Sequence, residues 1–157
     1  MRDGSVRGGG PAKGKRFVII ASQFHPAFVR ALVRGATKAL RRHGASTRNI
    51  RLLWVPGAFE VPLVAARVAG SCPRPDAVIA LGVLIRGQTP QYEVIAHAVA
   101  QGLTQVAVTY RLPVTFGVIV AETPAQAKAR AGGPRGNRGA EAALAALGVL
   151  QLLERLA

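Results

Sequence analysis

With 157 residues, half of them hydrophobic, the chain is the size of one domain and can bury a sizeable core. Its longest apolar runs, FVIIA from Phe17 and AVIALGVLI over 77–85, fall far short of the ~20 residues a membrane helix needs. Lys and Arg total 21 against 7 acids, a net charge of +14, which speaks to partners and solubility and not to fold.

Residues 1–15, MRDGSVRGGGPAKGK, are basic and Gly-rich with almost nothing apolar to bury. They are predicted to form a flexible basic arm ahead of one domain over 16–157. The arm leads into no signal-peptide h-region. FVIIAS, from Phe17, is a short β-branched run and predicts a strand buried on both faces. Pro26 then suits the first turn of a helix running to His43 and stopping at Gly44. Phe28, Val29, Leu32, Val33, Ala36, Ala39 and Leu40 form its core face. Arg30, Arg34, Lys38 and Arg42 recur at i, i+4, with Arg41 alongside. No acid relieves this stripe, at a cost of about a few tenths of a kcal/mol per like-charged pair.

IRLLWV (50–55) predicts a second strand, ended by Pro56 and Gly57, and residues 59–70 a helix through Phe59, Leu63, Val64 and Val68. The loop GSCPRP holds the one cysteine, Cys72, so no internal disulfide is possible and a reducing cytoplasm fits. Ala77 to Leu84 reads as the central strand, and 90–109 as a helix through Val94, Ile95, Ala98, Val99, Leu103 and Val106. VTFGVIV (114–120) is the fourth strand. Thr123 or Glu122 opens a short helix over TPAQAKARA, closed by Gly132 and Gly133; GPRGN is a turn, and Gly139 to Leu156 a final apolar helix.

Strands alternating with helices predict an α/β fold, a three-layer α/β/α sandwich around a four-stranded parallel sheet. Such sheets bind ligands beyond the carboxyl ends of their strands. Gln23, Phe24 and His25 follow the first strand, VPGAFEVP the second, IRGQTPQYE the third, and Ala121, Glu122 and Thr123 the fourth. GAFE opens a helix, so the amides of Ala58, Phe59 and Glu60 are candidates to grip a polar ligand; Glu60 also reads simply as a cap. Gly87, Gln88 and Thr89 stand at the next helix start, either a turn or an anion site. ARAGGPRGNRGAEAA brings Arg130, Arg135 and Arg138 together but lacks the Gly-Lys-Ser/Thr ending of a P-loop. No His/Cys/acid cluster has metal spacing.

In order, VPGAFEVP, AVIALGVLIRGQTP, PVTFGVIVAET, AKARAGG and GNRGAEAALAAL resemble the recurring blocks of the lumazine synthase family, the riboflavin synthase beta-chain family, over roughly residues 16–155. The resemblance implies a flavodoxin-like fold. It implies condensation of 5-amino-6-ribitylamino-uracil with 3,4-dihydroxy-2-butanone 4-phosphate, giving 6,7-dimethyl-8-ribityllumazine and phosphate with no metal or organic cofactor. It also implies sites shared between adjacent subunits of a pentamer, and in many members twelve pentamers closed into a hollow capsid.

Carried over by position, Phe24 would stack on the pyrimidine ring, and His25, where the family often has Asn, would approach the ribityl chain. Ala58, Phe59 and Glu60 would bind that chain, the carboxylate of Glu60 accepting hydroxyl hydrogens. Leu84 and Ile85 would line the ring pocket, and Phe116 would close it from the neighbouring chain. Gly87, Gln88 and Thr89 would hold phosphate, with Arg130 as countercharge across the interface and Glu141 orienting Arg130. Arg138 occupies a position usually held by lysine. The family's string after the third strand carries a histidine, the proposed proton carrier; here GQTPQYE places Gln91 there. Glutamine cannot exchange a proton near neutral pH.

Two other readings follow from Gln91 and the charge. One is a lumazine-synthase-like capsid or scaffold with little catalysis, holding anionic cargo such as nucleic acid. The other is a lumazine- or flavin-binding protein. The compact GGPRGN spacing favours a sixty-subunit capsid over a free pentamer, with Pro134 the residue most able to spoil that geometry.

Overall fold

The computed structural model describes residues 10–157. Strands β1 (Phe17–Ser22), β2 (Ile50–Val55), β3 (Ala77–Ile85) and β4 (Val114–Ala121) form one parallel sheet in the order β2-β1-β3-β4. Parallel neighbours require long crossovers. These are supplied by α1 (Pro26–Arg42), α2 (Val61–Ala69) and α3 (Gln91–Tyr110), while α4 (Pro124–Arg130) and α5 (Arg138–Leu156) follow the last strand.

Side chains alternate across the sheet, so the core is double. Phe17, Ile19, Ala21, Ile79, Leu81 and Ile119 pack under α1, α4 and α5. Val18, Ile20, Val78, Ala80 and Val118 pack under α2 and α3. The central strands β1 and β3 are buried on both faces for nearly their whole length, which is why their sequences run apolar without alternation. The predicted three-layer sandwich is the observed fold.

Local chemistry sets the helix ends. Gly44, at φ 103°, takes the left-handed turn that ends α1. The Thr123 hydroxyl accepts from the Gln126 amide and caps α4. The Asn137 side chain caps α5 by accepting from the Ala140 amide at 3.1 Å, and it donates to the Ala31 carbonyl of α1 at 3.0 Å. One side chain thus starts α5 and ties it to α1.

Several expectations need correction. Of the predicted arm, residues 1–9 lie outside the described residues, but 10–15 are docked. The Ala12 side chain is fully buried and its amide donates to the His43 carbonyl at 3.0 Å. Lys15 forms an ion pair with Glu154. Gly10 allows this docking, since a Cβ there would lie 2.1 Å from the His43 carbonyl oxygen. The predicted helix over 59–70 begins as a 3-10 turn at Ala58–Glu60. The segment read as helix stop and turn is an antiparallel ribbon, β5 (Ala131–Gly133) with β6 (Gly136–Asn137). Gly132 and Gly136 sit at φ 95° and 84°, conformations that L side chains resist. Leu63 and Val94, which mark the helical periodicity of their segments, are 75 and 66% exposed.

Candidate active site

A cleft of about 700 Å³ opens at the carboxyl ends of β1, β2 and β3. Phe24 and His25 enter it from the loop after β1, Ala58, Phe59 and Glu60 from the 3-10 turn after β2, and Leu84 and Ile85 from the end of β3. Gly87, Thr89 and Gln91 enter from the loop and first turn leading into α3. Ten of the residues singled out from sequence therefore meet in one place. Gln88 lies in the same loop but does not line the cleft.

Two aromatic faces are open to a ligand, Phe24 at 65% and Phe59 at 62% exposure. Such exposure of large apolar groups in a concave site suits a planar guest. The Glu60 carboxylate folds back beside Gly57, whose hypothetical Cβ would stand 2.9 Å from Oε2 and 3.5 Å from the Phe24 ring. Glycine at 57 thus keeps ring and carboxylate close together. Of the three amides expected to be free after β2, that of Glu60 is taken, donating to the Gly57 carbonyl at 3.3 Å because the 3-10 turn closes there. Gly87 meets nothing within 4 Å of its would-be Cβ, so its bareness serves no internal packing.

His25 is held unusually. It precedes Pro26, which disfavours helical backbone in the residue before it, yet sits at φ 54°, ψ 59° as the N-cap of α1. Its carbonyl accepts from the amides of Phe28 and Val29, both at 3.1 Å. Left-handed backbone costs a non-glycine residue about 1–2 kcal/mol and histidine is among the residues that tolerate it.

Phe116, Arg130 and Arg138 are elsewhere. They line a separate hollow of about 300 Å³ with Val118, Ile119 and Val120 along β4. Phe116 pairs with Ala80, whereas Leu84 of the cleft pairs with Val120. Four steps at ~3.3 Å each put Phe116 ~13 Å below Leu84 along the sheet. One chain's Phe116 is out of reach of its own cleft. Glu141, expected to orient Arg130, is instead paired with Arg138 at 2.9 Å, one turn along α5. Arg130 is steadied by the Gln126 carbonyl at 3.2 Å, a turn earlier on α4.

Gly57, Val83, Tyr92, Val94 and Ile95 also line the cleft and were not singled out as site residues. Tyr92 donates to Glu93 Oε1 at 3.2 Å. Burial pushes its phenol above the usual range, and the hydrogen bond to Glu93 adds to this. Its adjacency to Gln91 on the first turn of α3 was the available signal; Val94 and Ile95 were hidden because helical periodicity marks apolar residues without saying what covers them.

The sequence matches the 6,7-dimethyl-8-ribityllumazine synthase family over residues 14–154. A 6,7-dimethyl-8-ribityllumazine synthase of Thermus thermophilus is 43% identical over 93% of this chain and 92% of its own. That of Chlorobium phaeobacteroides is 46% identical over 88 and 89%, and that of Gemmatimonas aurantiaca 47% over 91 and 87%. The match spans every residue of the cleft and of the arginine hollow, and the chain belongs to the 6,7-dimethyl-8-ribityllumazine synthase family.

Proposed function

We propose that the protein condenses 5-amino-6-ribitylamino-uracil with 3,4-dihydroxy-2-butanone 4-phosphate to 6,7-dimethyl-8-ribityllumazine and phosphate, a transferase step of riboflavin synthesis without metal or organic cofactor. The reaction makes three demands: hold a planar pyrimidine, hold a polyol chain, and hold a phosphate that leaves. The observation that carries the reading is the meeting of all three kinds of group in the one cleft: Phe24 and Phe59, Glu60, and the Gly87–Thr89 loop. Phe24 stacks on the ring against Leu84 and Ile85, and Ala58, Phe59 and Glu60 take the ribityl chain. Gly87 and Thr89 take the phosphate at the start of α3, where amides and the helix dipole favour an anion. Holding both substrates in register removes much of the entropic barrier to their union. A cytoplasmic setting belongs to this reading and suits the exposed, unpaired Cys72; among the described residues no helix is long and apolar enough to cross a membrane.

The site is completed by a second copy. Phe116, ~13 Å from its own cleft by strand register, closes the cleft of a neighbour, and Arg130 brings positive charge to that neighbour's phosphate, with Arg138 beside it. Such head-to-tail contact closes into a ring, here a pentamer, and the short ribbon before α5 leaves room for pentamers to assemble as a sixty-subunit shell. A light-scattering mass near five subunits would count against the shell.

The exposed basic face of α1 favours a second property of that shell, retention of polyanionic cargo. Arg34, Lys38, Arg41 and Arg42 edge a shallow groove, and none has an acidic partner among the described residues. Such affinity falls steeply with salt; equal binding in low and high salt would exclude it.

The function is tested by mixing purified protein with both substrates and following lumazine absorbance and free phosphate. The two products are expected to rise together above a protein-free control. If neither rises above that control, the proposal fails.

A further inference from the structure

We infer that His25 carries the protons of the condensation, a role that rests on the lumazine-forming reading above. The chemistry needs such a group. As the amine nitrogen bonds to the ketone carbon, a neutral imidazole takes one proton from nitrogen and passes it to the carbonyl oxygen. It then takes the second and delivers it as that hydroxyl leaves as water and the C=N bond forms. Nitrogen loses two protons, oxygen gains two, and the imidazole ends as it began.

Among the described residues three titratable side chains line the cleft: His25 after β1, Glu60 before α2 and Tyr92 on α3, with Glu93 behind Tyr92. Tyr92 holds its proton, since burial and the hydrogen bond to Glu93 both favour the neutral phenol. Glu60 lies folded beside Gly57 and is engaged by ribityl hydroxyls in this reading. Gln91, at the first turn of α3, has an amide that neither gives nor takes a proton near neutral pH.

Only an imidazole has its ordinary pKa near neutrality. The ring of His25 has no hydrogen-bond partner among the described residues and is braced by stacking on Phe28, centroids 6.5 Å apart. It stands at the cleft wall in left-handed backbone, immediately before a proline. Strained backbone held by its surroundings at a ligand site is a mark of a positioned functional group. An unpartnered imidazole on strained backbone, lining a cleft beside a phenol that keeps its proton and a carboxylate turned to the ribityl chain, is what the proton transfers require.

The test compares the parent with His25→Asn, Gln91→His and the double variant, recording kcat/KM against pH. Asparagine tolerates left-handed backbone, so the loop is preserved. The parent is expected to lose rate as pH falls through the imidazole range. His25→Asn should run about 10²-fold slower and lose that acid limb, and the double variant should regain both rate and limb, showing that the fold is intact. The inference is overturned if His25→Asn keeps the parent rate, or slows but keeps the acid limb, or is not rescued by Gln91→His. Silence of all four proteins overturns the lumazine reading itself, and this inference with it.

Discussion

Two glycines of α5 should respond to the same substitution with opposite sign. A Cβ on Gly139 would lie 2.1 Å from the Leu32 carbonyl oxygen, 2.7 Å from its carbon and 2.9 Å from its Cα. Those atoms are backbone of α1 and cannot swing aside. Ordinary contact begins near 3.4 Å, so Gly139→Ala must part the two helices by more than an ångström. Leu32, Ala36, Ala143 and Ala146, all fully buried beneath that crossing, would lose contact. Overpacking of this kind costs about 1–3 kcal/mol, or a fall in Tm of about 2–4 °C per kcal/mol for a chain of this length. Gly148, two to three turns along the same helix, meets nothing within 4 Å. Gly148→Ala should stabilise by about 0.5–1 kcal/mol, the helix penalty of glycine. Urea unfolding at one fixed protein concentration, since assembly makes stability concentration-dependent, reads both. A Gly139→Ala protein as stable as the parent would refute the close crossing of α1 and α5.

Gly87→Ala should leave stability unchanged or raise it by about 0.4–1 kcal/mol, since among the described residues no atom beyond those of its chain neighbours lies within 4 Å of the new methyl. The same change should raise KM for the phosphate-bearing substrate severalfold; an unchanged KM would remove the loop from the phosphate site. Ser22 is fully buried with no partner for its hydroxyl among the described residues. Ser22→Ala should therefore be neutral or stabilising by up to about 1 kcal/mol, and a clear loss in thermal unfolding would show that the hydroxyl has a partner.

Where chemistry repeats over several residues, it was legible. The apolar runs at Phe17 and Ala77 announce the two buried central strands, and the rule that ligands sit beyond strand ends points to Phe24, Glu60 and Thr89. What one segment does not reveal depends on partners distant in sequence. Ala12 acquires meaning only against the end of α1, and AGG and GN carry no β pattern, so their ribbon rests on glycine conformations. Phe116 is assigned to a neighbour's cleft by resemblance alone; its distance from its own cleft is a property of strand register, which one strand cannot reveal. Leu63 and Val94 look like core in a helical pattern, yet the described chain leaves them bare.

The proposed site combines the cleft of one copy with the arginine hollow of the next. It is tested most directly by mixing two impaired variants, Glu60→Ala in the cleft and Arg130→Ala in the hollow, co-expressed in equal amounts. Each alone should form lumazine poorly. In mixed rings of head-to-tail contacts, about a quarter of the sites pair an intact cleft with an intact hollow, so lumazine formation should recover to about that fraction of the parent rate. Mixed assemblies no more active than the separate variants, beside an active parent, would contradict the shared site.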